Sequence, residues 1–128
     1  MKLILVFSFL LATVSISGCG SFVPVRDWDK LKSEERHRIV SLPIFNESQL
    51  EPSTYEVINV VEGISCKNKI WDHAATKSDA INQTKYWASE LGADGILNIK
   101  CDVPRGTTLT YNCWESITCT AQAIRMAK

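Results

Sequence analysis

The residues best equipped for chemistry are five cysteines, Cys19, Cys66, Cys101, Cys113 and Cys119, in a chain of 128 residues. Cys19 stands apart from the others. It follows Ile16-Ser17-Gly18, where the apolar run of residues 3–16 ends, and Met1-Lys2 opens that run with a positive charge. A positive start, an apolar stretch too short to span a bilayer and small residues at its end describe a secretory signal peptide over residues 1–18. A branched apolar residue, two small residues and a cysteine also make a lipobox. The chemistry demands that cysteine, because its thiolate accepts a diacylglyceryl group as a thioether. The small residues admit the preceding peptide bond to a lipoprotein signal peptidase. Cys19 is therefore the expected lipidation site, with three acyl chains holding the protein to a membrane where one would bind only marginally. Gly20 follows, not the aspartate associated with inner-membrane retention, so the expected location is the outer membrane, facing the periplasm.

Four cysteines remain. An even set in an oxidising compartment predicts two disulfides, with three connectivities open. A zinc site is the rival, but no Cys-x-x-Cys pair occurs, and neither His37 nor His73 has a partner at ligand spacing. A redox pair usually has the same missing motif. No metal and no cofactor are expected. Asp72-His73 is the nearest approach to an acid–base pair, yet adjacent side chains point apart and a solvated turn is the simpler reading. There is no nucleophile elbow and no phosphate loop, so the chain reads as a non-enzyme. Fourteen basic residues balance fourteen acidic ones, which gives no support to nucleic-acid binding. With 45% hydrophobic residues it is no disordered chain.

The elements that must position these cysteines fit one domain. Residues 19–37 are expected to form the lipidated N-terminus and a solvated tether, since only Trp28 and Leu31 interrupt the charges after Arg26; a helical turn or two capped by Asp27 is the alternative. The domain then runs over residues 38–128. Residues 39–45 read as a short strand that Pro43 limits. Residues 55–61 are rich in β-branched side chains and predict a strand, broken at Glu62-Gly63. Ala80, Thr84, Trp87, Ala88 and Leu91 share one face of a helix over 74–91, with Gly92 placed to end it. Strands follow over 96–101 and 116–126, around a loop at 102–112. The fold class is α+β: a ββαββ domain with an antiparallel or mixed sheet, and a helix on one face whose Trp, Ile and Leu are core.

Gly63-Ile64-Ser65-Cys66, Leu91-Gly92-Ala93-Asp94-Gly95-Ile96-Leu97, then Cys101, Cys113, Cys119 and the closing Ala121-x-Ala123-Ile124 resemble the RcsF family. The likeness covers roughly residues 38–128 and the lipobox; the strand–helix–strand frame by itself is shared with YbjQ-like small domains. The resemblance implies an outer-membrane lipoprotein that senses envelope stress for the Rcs phosphorelay. It implies disulfides Cys66–Cys113 and Cys101–Cys119. Its expected partners are an inner-membrane regulator of the Rcs system and outer-membrane barrel proteins, beside the membrane itself. The loop at 102–112 and Trp114 are candidate recognition residues. One departure stands out: the family's linker is long and proline-rich, whereas residues 20–37 here hold a single proline, Pro24. A structural or assembly lipoprotein without signalling is the alternative function.

Overall fold

A computed structural model describes residues 26–102 and 113–128. Six regular elements follow in order: α1 (Ser33–Val40), β1 (Ile44–Phe45), β2 (Tyr55–Lys67), α2 (Lys77–Glu90), β3 (Gly95–Asp102) and β4 (Glu115–Met126), with short 3-10 turns at Trp28–Lys30, Glu47–Gln49 and Pro52–Thr54. The sheet is mixed, in the order β1-β3-β4-β2. β4 runs antiparallel to both β2 and β3, while β1 lies parallel to β3. The expected α+β class with two strands before α2 and two after it is therefore what the chain forms, with α1 added in front.

β2 does not stop at Glu62-Gly63. It pairs with β4 from Tyr55–Met126 to Lys67–Glu115, with one irregularity between Val57 and Asn59. Gly63 is there for closeness, not as a breaker. A Cβ at that position would overlap the Thr84 backbone nitrogen and sit 2.5 Å from both the Ala80 carbonyl oxygen and Thr84 Oγ1. Glycine thus lets α2 settle directly on the strand.

α2 begins later than the periodicity predicts. Thr76 is its N-cap, with Oγ1 accepting from the Asp79 N–H at 3.1 Å. Its C-terminus follows the sequence reading: Gly92 has φ +70°, the Ala93 N–H donates to Ala88 O, and the Gly92 N–H donates to Ser89 O. The face turned to the sheet is made of small residues. Ala80, Thr84 and Ala88 lie on the sheet, and Ala88 packs with Val61, Ile96, Ala121 and Ala123. The expectation that the helix's Trp, Ile and Leu are core needs correction. Trp87 and Ile81 are only half-buried and Leu91 is 39% exposed, because a helix pressed this close to a strand has no room for large side chains between them.

The start of the chain also differs from the solvated tether expected over residues 19–37. Within its described part, residues 26–37, the chain turns at Trp28–Lys30 and enters α1, and both segments pack on α2. Leu31 and Ile39 are buried with Tyr86, and Trp28 and Trp87 border them. Three apolar residues suffice because polar bonds reinforce them. Gln83 Nε2 donates to the Arg26 carbonyl at 2.6 Å, and its Oε1 accepts from the Arg26 N–H at 2.9 Å. Lys85 Nζ donates to the Val40 carbonyl at 2.6 Å, placing a cation at the negative end of α1. Burial pushes the Lys85 ammonium below the usual lysine range. Ile39 and Val40 accordingly belong to a helix and not to a strand, and Pro43 leaves only Ile44–Phe45 to pair with β3.

Candidate functional site

The four cysteines of the domain are joined as Cys66–Cys113 and Cys101–Cys119. Cys101 and Cys119 face each other in register across β3 and β4, with Cα atoms 4.0 Å apart. Cys119 is fully buried, and its carbonyl accepts from Thr84 Oγ1 at 3.1 Å, so this bridge lies beneath α2. Cys66 and Cys113 have Cα atoms 5.5 Å apart, and the Trp114 N–H donates to the Lys67 carbonyl at 2.8 Å. The second bridge therefore ties the far end of β2 to the segment that leads into β4. Of the three connectivities open to four cysteines, this is the one the resemblance implied. Cys19 and the loop residues 103–112 lie outside the described residues; Asp102 closes β3, and Trp114 is 54% exposed.

An open groove of ≈ 280 Å³ runs beside this end of β2. Residues 64–66 of β2 line it, together with Arg26, Trp28, the 71–74 turn, and Asp79 and Gln83 of α2. β2 is an edge strand of the sheet. The link from β2 to α2 is held by local bonds. Asp72 Oδ2 accepts from the N–H groups of Asn68 (3.2 Å) and Lys69 (3.0 Å). Ser65 Oγ accepts from the Thr76 N–H at 3.0 Å, and Glu115 Oε1 accepts from the Ala75 N–H at 3.2 Å. These contacts fix a turn that carries Ile70 and Trp71 outward, each 79% exposed. Lys69 Nζ lies 6.0 Å from the Trp71 ring centroid.

Asp72 and His73 thus sit in a turn, with the Asp72 carboxylate engaged by backbone donors. Among the described residues no cluster of three His, Cys, Asp or Glu side chains could hold a metal ion, and no helix is long and apolar enough to cross a membrane. The chemistry this end of the domain offers is noncovalent: exposed indoles, an aliphatic side chain and nearby ammonium groups. Trp114 was a candidate from sequence. Ile70 and Trp71 were not, although an Ile-Trp pair directly after Lys69, in a loop where no element needs an apolar face, was the available signal. No protein-family model matches the chain, and no curated protein matches it either.

Proposed function

We propose that this chain is a lipid-anchored protein of the outer membrane that senses envelope stress and signals to the Rcs phosphorelay through protein–protein contacts in the periplasm. The reading rests first on its resemblance to the RcsF family and on the lipobox ending at Cys19. The observation that carries it is the pairing of Cys66 with Cys113 and Cys101 with Cys119. Two bridges in a small domain suit an oxidising compartment, and their order is the one the family motifs imply. Recognition by surface contact fits the exposed indole of Trp114, since tryptophan is enriched where partners dock. An inner-membrane regulator of the Rcs system and outer-membrane barrel proteins are the partners this reading assigns.

The test is genetic. Deleting the gene is expected to blunt induction of a capsule or envelope-stress reporter. A Cys19→Ala chain is expected to leave the outer-membrane fraction and to alter the same reporter. An unchanged reporter together with defective outer-membrane protein assembly would replace this reading with the assembly lipoprotein.

A further inference from the structure

We propose that the Ile70-Trp71 turn is a second membrane contact, lying on the phospholipid leaflet that holds the acyl chains; this rests on Cys19 being lipidated. Four observations converge on it. Ile70 and Trp71 are the two most exposed large apolar residues among those described, at 79% each, and they stand side by side on one turn. That turn is built rather than loose, because Asp72 Oδ2 holds two of its N–H groups and Glu115 holds the Ala75 N–H. Lys67 and Lys69 precede it, with Lys69 Nζ 6.0 Å from the Trp71 ring centroid; of the nearby acids, Asp72 and Glu115 accept from backbone donors, and Asp79, in the first turn of α2, borders the same groove. An indole and an aliphatic side chain beside ammonium groups match the headgroup boundary of a bilayer containing anionic lipid.

The fourth observation is the sequence separation between the anchor and this end of the domain. Arg26 borders the same groove as Trp71. Cys19 precedes Arg26 by only seven residues, which reach at most about 25 Å fully extended. The acyl chains therefore hold this end of the domain, and not the opposite end, close to the lipid. Their affinity needs no help, as three chains already anchor permanently. The turn adds orientation instead. It fixes which face of the domain lies on the leaflet and leaves the β1 edge and the Val57–Val60 stretch of β2 turned to the periplasm.

The native acylated protein, reconstituted in vesicles of phosphatidylethanolamine and phosphatidylglycerol doped with chain-brominated lipid, reads this directly. Bromolipid is expected to quench part of the tryptophan emission. Trp71→Phe, which keeps an apolar ring on an exposed site, is expected to remove most of that quenching. Charge reversal by Lys69→Glu is expected to weaken it, more so at low salt, where headgroup charge is least screened. Equal quenching in wild type and Trp71→Phe would overturn the proposal. So would a photo-crosslinker at position 71 in cells that captures a protein and no lipid. The mass of the same preparation reports acylation separately. An unacylated Cys19 removes the lipoprotein reading, whereas an acylated protein with unquenched Trp71 removes only the second contact.

Discussion

Gly63→Ala puts a methyl group where β2 and α2 touch. Built on the present backbone, that carbon lies 2.5 Å from the Ala80 carbonyl oxygen and overlaps the Thr84 nitrogen, so two of its three encounters are with helix backbone. Strand and helix must part by about 1 Å to restore van der Waals separation. The seam has no slack to absorb this, because Ala80, Ala88 and Ala123 are all fully buried and have no side-chain torsions to adjust. Overpacking of this kind costs about 1–3 kcal/mol, and rigid backbone on both sides places Gly63→Ala near the top of that range, about 3 kcal/mol. Against a total stability of about 5–15 kcal/mol the loss is large. Urea unfolding of the oxidised protein followed by circular dichroism measures it as a shift in midpoint at constant m. Thr84→Ala provides the control. Removing Oγ1 relieves one encounter and leaves both backbone ones, so the double variant is expected to stay destabilised. A Gly63→Ala protein within about 0.5 kcal/mol of wild type, or full recovery in the double variant, would refute the contact.

Each bridge can be removed by paired serine substitution. The Cys101–Cys119 pair, 18 residues apart, is expected to contribute about 3 kcal/mol, and the Cys66–Cys113 pair, 47 apart, about 4 kcal/mol; denaturant midpoints that reverse this order would contradict the loop-closure argument. Lys85 gives a pH signature. Its folded pKa is lowered by burial, so between that value and the ordinary lysine value the unfolded chain binds the extra proton, and stability rises with pH. Wild type is therefore expected to gain on Lys85→Met as pH climbs into the lysine range, and a flat difference between the two unfolding profiles would show that the ammonium is not desolvated.

The parts of the fold that sequence revealed were those with dense local signals. β2 is dense in β-branched side chains, β3 and β4 are stretches with apolar residues on either side of a loop, and α2 carries both a 3.6-residue period and a glycine where its C-terminus needs a positive φ. α1 was hidden because its buried stripe is thin. Leu31 and Ile39 lie eight residues apart among charges, and their partner Tyr86 is far along the chain. Gly63 misled for a related reason: a glycine that ends a strand and one that admits a helix look alike until the helix is in place. The cysteine count gave two bridges but not their pairing, which depends on the β3–β4 register. Ile70 and Trp71 carry no periodicity. Their importance lies in exposure, which only the packed domain defines.

β4 is the last strand in sequence, yet it lies inside the sheet between β2 and β3. Tyr55 waits for Met126, and the rest of β2 waits for the remainder of β4. A chain delivered amino end first therefore cannot close its sheet piecemeal, and such distant pairings are slow to form. During that interval β2 presents two bare edges, with Val57 and Val60 among its side chains, to any neighbouring nascent copy. Loss of the final dozen residues would not trim the domain at its margin; it would withdraw the strand on which both its neighbours depend.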